Sequence, residues 1–260
     1  MSAKSTLRNA ILGSGPGGRA FGEVRYQRML KRGLSPELTA ALDLLEAGDT
    51  VIDVGAAKGG YAYAFGKAVG ADGLVIACEP NPASFHELEQ CTWNTSVDAR
   101  QTGIGSAPGE LTLHVPRSAG AGVDAGLGTF TGAFDDSDLV VEVPVTTVDL
   151  ISAELDQLDL IKIDVEGWEL EVLRGARETV ERFKPTLVVE CERRHLNKIG
   201  ESEHAFFGWA STHGYNIETI GHPDLTAFKA FDAQDAFNAG DATGYFSDTY
   251  PNNFLLTPSG

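Results

Sequence analysis

The chain has 260 residues, of which 42% are hydrophobic and 22% charged. That is enough for one domain with a full core, and it excludes a disordered chain, a collagen and a coiled coil. The formal net charge of −17 repels phosphate backbones, so no nucleic-acid partner is expected; the basic patches are short, Arg25 to Arg32 and Arg193 with Arg194.

Residues 1–20 read as a loose arm with a glycine-rich stretch at 13–18. A helix is expected from Glu23 to Lys31. A second is expected from Ser35, a good N-cap, with Pro36 at the first helical position and Gly48 as the stop. Residues 1–48 therefore form an N-terminal arm and helical extension, and 49–260 the main domain. Short apolar runs then predict buried strands at Thr50 to Val54, Leu74 to Cys78, Ala99 to Ile104, Leu158 to Ile163 and Thr186 to Glu190. Helical patterns lie between most of them, at Tyr61 to Val69, Ser84 to Gln90 and Trp168 to Phe183. Leu111 to Val115 and Val140 to Val148 read as extra strands flanking an insertion, 116–138, that is glycine-rich and without period. Its length and place suggest an acceptor-side loop that orders on substrate. A helix from Glu203 to Thr212, a strand from Tyr215 to Thr219 and a closing strand from Asn253 to Leu256 complete the chain.

Strands alternating with helices predict an α/β fold with a mostly parallel sheet. Right-handed crossovers place the strand C-termini along one edge, where ligands bind in such folds. No run of 18 apolar residues exists, and the N-terminus lacks an apolar signal region, so a cytoplasmic protein without a membrane partner is expected. Cys78, Cys91 and Cys191 lack metal-ligand spacing and read as reduced thiols, two of them as core residues.

Three segments carry chemistry. In Val51-Ile-Asp-Val-Gly-Ala-Ala-Lys-Gly-Gly-Tyr61, Asp53 sits near a strand end, and Gly55 and Gly59 let the backbone turn and approach a ligand. About 20 residues on, a strand ends in Glu79, where a carboxylate accepts from ribose hydroxyls. A nicotinamide dinucleotide would need G-x-G-x-x-G and no acid beside its pyrophosphate. S-adenosylmethionine has an ammonium, a sulfonium and no phosphate, so the charge pattern favours it. The second segment, Leu160-Ile-Lys-Ile-Asp-Val-Glu-Gly-Trp-Glu169, ends a buried strand in Asp164. Glu166 or Glu169 can cap the following helix, and Trp168 can stack on a ligand or pack in the core. The third, Thr186-Leu-Val-Val-Glu-Cys-Glu-Arg-Arg-His195, ends a strand in Glu190, near Asp164 if the strands are neighbours.

These stretches, VIDVGAAKGGYA, CEPNPASFHELEQCTWN, Gly103-Ile-Gly105, VPVTTVDL, IKIDVEGWELEVLRGA and NNFLLTP, resemble the FkbM family of S-adenosylmethionine-dependent methyltransferases. The resemblance runs from Val51 to Pro258, and the DVEG-type signature is its most specific part. It implies a class I methyltransferase fold, with a mostly parallel seven-stranded sheet flanked by helices and the helical extension over the cofactor end. It also implies O-methylation of a hydroxyl on a sugar, an oligosaccharide or a polyketide-type natural product. The cofactor residues expected are Asp53, Gly55, Ala56, Gly59, Glu79, Pro80, Asn81, Gly103, Ile104 and Asp164. Asp164 and Glu190, helped by His195, are expected to act as base, or else Asp164 and Glu190 hold a magnesium or manganese ion. Base catalysis is preferred, because no third protein ligand is evident. The sequence departs from the family at Ala57, where an asparagine is frequent, and Lys58 follows it. The expected partner is a small-molecule or glycan acceptor, with a homodimer left open. A non-catalytic adenosine or S-adenosylmethionine module and a nicotinamide oxidoreductase are the alternatives.

Overall fold

The architecture follows from four short strands that are buried on both faces. In this computed structural model the residues described are 16–93, 95–115, 117–118, 122–123, 139–192, 196, 200–221 and 252–260. The elements of the main sheet are β1 (Thr50–Val54), β2 (Leu74–Cys78), β3 (Val97–Arg100), β9 (Leu160–Ile163), β10 (Thr186–Glu190), β11 (Tyr215–Thr219) and β12 (Asn253–Pro258). Their order is β3-β2-β1-β9-β10-β12-β11. All pairs from β3 to β10 are parallel, and β12 runs antiparallel to both of its neighbours. The mostly parallel seven-stranded sheet that the sequence predicts is present.

Period-two alternation sorts the strand side chains into two cores. Ile52, Val54, Ile161, Ile163, Leu187 and Val189 pack on one face. They meet α6 (Glu169–Arg174) and α7 (Arg177–Phe183) through Leu170, Leu173 and Val180, and α8 (Glu203–Thr212) through Phe206. Val51, Val75, Leu160 and Val188 pack on the other. There they meet Leu38 and Ala41 of α2 (Pro36–Leu44) and Ala64, Phe65 and Val69 of α3 (Gly60–Val69). Asp53 and Lys162 belong by register to this second face.

The register also aligns the strand ends along one edge. Cys78, Val54, Ile163 and Val189 form one row across four strands. The next residue on each strand is therefore Glu79, Gly55, Asp164 and Glu190, side by side where the chain leaves the sheet. Backbone bonds keep that row closed: Gly55 and Ala56 N–H donate to Cys78 O at 3.0 Å each, and Asp164 N–H donates to Val54 O at 3.1 Å.

Several elements differ from the sequence reading. The glycine-rich stretch taken as part of a loose arm enters a helix: Pro16 opens α1 (Pro16–Arg32), where its missing N–H costs nothing. The run read as one strand from Ala99 to Ile104 is two. β3 pairs with β2, but β4 (Gly103–Ile104) pairs with β8 (Leu139–Thr146), which β5 (Gly109–Val115) flanks in a separate three-stranded sheet. Val148 belongs to α5 (Val148–Ser152), capped by Thr147 accepting from Leu150 N–H at 3.1 Å, and not to the strand before it. The helix expected over Trp168 to Phe183 is broken at Gly175 into α6 and α7. Within the insertion, Arg117–Ser118 (β6) and Gly122–Val123 (β7) pair antiparallel. The rest of 116–138, with its expected role as an acceptor loop, lies outside the described residues, as do residues 1–15 and Asn94.

α1 packs over α3 and α4 (Pro82–Cys91). Gly22 lies against the Cys91 carbonyl and the Tyr63 ring, and Glu23 accepts from Tyr63 Oη at 2.9 Å and Lys67 Nζ at 2.8 Å. The three cysteines are buried and form no disulfide among the described residues. No helix among the described residues is long and apolar enough to cross a membrane.

Gly55 has φ +79°, and a Cβ there would fall on the Asp164 carbonyl. Gly55→Ala is expected to destabilise the fold by about 3 kcal/mol, through backbone strain and a contact with rigid main chain. Denaturant unfolding of the two proteins measures it.

Candidate functional site

β1 hands its chain to a loop, residues 55–59, that Gly59 (φ +79°) ends before α3 begins. Inside it Ala57 also adopts positive φ, +46°. β2 ends at Glu79, which is 7% exposed. One oxygen of its carboxylate accepts from Ala57 N–H and the other from Asn81 N–H, both at 2.8 Å. Glu79 thus clasps the glycine loop to the next turn. There Asn81 caps α4 by accepting from Ala83 N–H at 3.0 Å, with Pro82 at the first helical position. Burial pushes the Glu79 carboxyl up to about 7, against the two backbone donors, which lower it. Gly103 and Ile104 lie buried in β4, on the second sheet.

Asp53 is fully buried, and neither carboxylate oxygen has a hydrogen-bond partner among the described residues. Its cross-strand neighbour is Lys162, 5% exposed, whose Nζ lies 3.7 Å from Asp53 Oδ1 and 3.0 Å from Asp164 Oδ2. The same ammonium sits 5.1 Å from the centroid of the Tyr61 ring. Burial alone would discharge Lys162, but Asp164 and Asp53 outweigh it and hold the amine protonated well above the usual lysine range. Burial pushes the Asp53 carboxyl up, and Lys162 opposes that shift. The Tyr61 hydroxyl donates to Glu37 Oε1 at 2.7 Å and shares a 2.5 Å hydrogen bond with Ser35 Oγ.

Glu190 stands beside Asp164 in the next strand and hydrogen-bonds it. Burial, then the Asp164 charge, raises the Glu190 carboxyl far above the ordinary range, while the Lys162 ammonium beside Asp164 favours the charged form of that partner. Asn252 Nδ2 donates to Glu190 Oε1 at 3.1 Å and lies 3.4 Å from Glu192 Oε1. Beyond Asp164, Glu166 (φ +53°) and Gly167 (φ +101°) turn the chain back. Glu169 closes that turn, its Oε1 accepting from Gly167 N–H at 2.9 Å.

The arrangement is a row of acids with one internal cation, beside a glycine loop. That set fits S-adenosylmethionine, whose charged end is cationic. It does not fit a divalent cation. Asp164 is already paired with an ammonium, and no group of three or more His, Cys, Asp or Glu among the described residues is arranged to hold a metal. The expectation of magnesium or manganese on Asp164 and Glu190 therefore finds no support. His195 lies outside the described residues.

The sequence profile of the methyltransferase FkbM domain matches residues 53–217, more than half of the chain. The chain belongs to the FkbM methyltransferase family. Its seven-stranded sheet is that of a class I methyltransferase. No curated protein matches it. Among solved structures it is similar to the methyltransferase FkbM from Methylobacillus flagellatus KT, at 16% identity and a TM-score of 0.46 over 80% of this chain and 43% of that one. It thus spans less than half of that relative's length. A SAM-dependent methyltransferase from Aquifex aeolicus is similar at 14% identity and a TM-score of 0.41, over 71% of this chain and 81% of that one. A SAM-dependent O-methyltransferase from Thermotoga maritima is similar at 14% identity and a TM-score of 0.41, over 85% and 63%.

In this FkbM chain, the departures from the family pattern acquire places. Ala57 occupies a left-handed position that asparagine tolerates better than alanine. Lys58 pairs with Glu87 at 3.3 Å. Sequence reasoning missed Lys162, Tyr61 and Asn252. For Lys162 a signal existed: a lysine inside the buried strand Leu160-Ile-Lys-Ile163 requires a buried counter-charge. Of the two acids considered as caps, Glu169 closes the turn before its own helix.

Burial pushes the Glu169 carboxyl up to about 7, against the Gly167 and Val165 N–H groups. An acid whose folded pKa is raised binds extra protons in the native state. Its stabilising share is complete below its unfolded pKa and is lost as pH rises through about 7. Glu169→Gln keeps the oxygen that accepts from Gly167 and cannot ionise. Between pH 4.5 and 8, wild type is expected to lose roughly 2–3 kcal/mol relative to this variant. Urea unfolding of both across that range checks it.

Proposed function

We propose that this chain is an S-adenosylmethionine-dependent O-methyltransferase, acting on a hydroxyl of a sugar, an oligosaccharide or a polyketide-type natural product. The observation that carries the reading is the row Glu79, Gly55, Asp164 and Glu190 along one sheet edge, with Lys162 behind it. When bound, the cofactor supplies an electrophilic sulfonium methyl. Glu79 would hold the ribose, and the backbone of Gly55, Ala56 and Gly59 would lie along the cofactor. Pro80, Asn81, Gly103 and Ile104 would bound the adenine. Asp53, buried, would act at one remove, by holding Lys162.

The acceptor hydroxyl must lose a proton. Lys162 keeps Asp164 charged and oriented, and Glu190 holds the one proton of the carboxyl pair. Asp164 is therefore the group to receive the hydroxyl proton, and Glu190 the group to donate a hydrogen bond toward it. The lysine and the shared proton remove the like-charge repulsion that a metal ion would otherwise offset.

Two measurements test this. Calorimetry with S-adenosylmethionine should show binding that Glu79→Ala weakens by about 1.5–3 kcal/mol, the scale of hydrogen bonds to a charged group. Unchanged affinity removes Glu79 from the site.

With a panel of sugar and polyketide hydroxyl acceptors, turnover should fall about 10²–10⁴-fold in Asp164→Asn, the usual worth of a positioned base. It should fall only about tenfold in Glu190→Gln, whose amide still donates a hydrogen bond. Cofactor affinity should hold in both. Wild-type turnover in both variants overturns the catalytic assignment. Tight cofactor binding with no turnover on any acceptor favours a non-catalytic module instead.

A further inference from the structure

The basic stretch Arg25 to Arg32 has so far had no role. α1 crosses directly above the start of α3. A Cβ on Gly60 would lie 3.2 Å from the Met29 sulfur and 3.7 Å from Arg25 Nε. Between helix and glycine loop lies a cleft of about 700 Å³. Arg25, Arg28 and Arg32 line it from α1, Lys58 from the loop, and Lys162 and Asp164 from β9 and its end. The three arginines are spaced three and four apart, so they share one helix face. Arg25 and Lys58 both lean on Glu87, at 3.6 and 3.3 Å. Arg28 and Arg32 are exposed, and neither forms an ion pair among the described residues.

Five cationic residues of the lining thus face two acidic ones, Glu87 and Asp164, in a chain of net charge −17. A walled concentration of one sign focuses ligands of the other. S-adenosylmethionine accounts for only part of it: Gly55 and Ala56, along which the cofactor would lie, line the same cleft, and its single carboxylate takes one cation. With one carboxylate, one ammonium and one sulfonium, the cofactor is itself net cationic and cannot balance the remaining cations. Two exposed guanidinium forks one helical turn apart match the oxygens of a phosphoryl group, which arginine binds bidentately.

We propose that this cleft binds a phosphate or diphosphate carried by the acceptor, so that the substrate is a phosphorylated hydroxyl compound of the glycosyl-phosphate kind. The proposal rests on the methyltransferase reading and narrows it. Asp164 borders the same cleft, so a phosphate on Arg28 and Arg32 anchors the acceptor on the side from which its hydroxyl meets the carboxyl pair.

The test is calorimetric titration of inorganic pyrophosphate into the full chain, with and without saturating S-adenosylhomocysteine, for wild type and the Arg28→Gln/Arg32→Gln double variant. Both arginines are exposed, so the variant should unfold at the wild-type temperature, which is measured alongside. Wild type should bind pyrophosphate, and the variant should bind it at least about tenfold more weakly, with S-adenosylhomocysteine affinity kept within about twofold. Absence of pyrophosphate binding by wild type, or equal binding by the variant, overturns the proposal. So does a loss of S-adenosylhomocysteine affinity in the variant, which assigns the arginines to the cofactor carboxylate. If wild type binds no S-adenosylhomocysteine at all, the methyltransferase reading falls first, and this narrowing of it falls too.

Discussion

The site is organised around one buried ammonium. Taking a lysine out of water costs several kcal/mol unless opposite charge meets it. Lys162 meets Asp53 across the strand pair and Asp164 at the end of its own strand, and the Tyr61 ring covers it. Each acid in turn depends on the lysine: Asp53 is wholly enclosed with no hydrogen-bond donor among the described residues, and Asp164 stands beside Glu190. The register that aligns β1, β9 and β10 puts these groups within reach of one another. The electrostatics of the edge are therefore a property of strand pairing before they are a property of any loop.

Much of this was legible in the sequence because the signals were local. β1, β2 and β10 are short runs rich in β-branched and apolar residues with turn residues after them, and they have the boundaries the runs suggest. Glu79 and Asp164 were legible as site candidates because a carboxylate ending a buried strand adds nothing to an apolar core and costs desolvation unless it meets a partner. α8 and β11 also follow their patterns to the residue.

What was not legible depends on partners distant in sequence. Nothing local tells that the chain changes sheets between Arg100 and Gly103. The pairing with β8, some forty residues on, decides it. The apolar period runs on through Gly175, yet the helix breaks there. A side chain at Gly175 would fall on the Gly105 carbonyl, and the glycine's own carbonyl accepts from Asp149 N–H at 2.9 Å. Lys162 was hidden for a different reason. In a strand flanked by isoleucines a lone lysine reads as an interruption, until Asp53 is seen to occupy the facing position on the neighbouring strand, far earlier in the sequence.

The Tyr61 hydroxyl reaches back to Ser35 and Glu37, while its ring lies over the lysine. The helical extension is thus wired into the electrostatics of the sheet edge and is no detachable ornament. A chain trimmed at residue 48 would leave a phenol with neither of its partners and a lysine under a loosened ring. The extension and the sheet edge are therefore coupled through this one side chain, and a change in either is felt by the buried lysine between them.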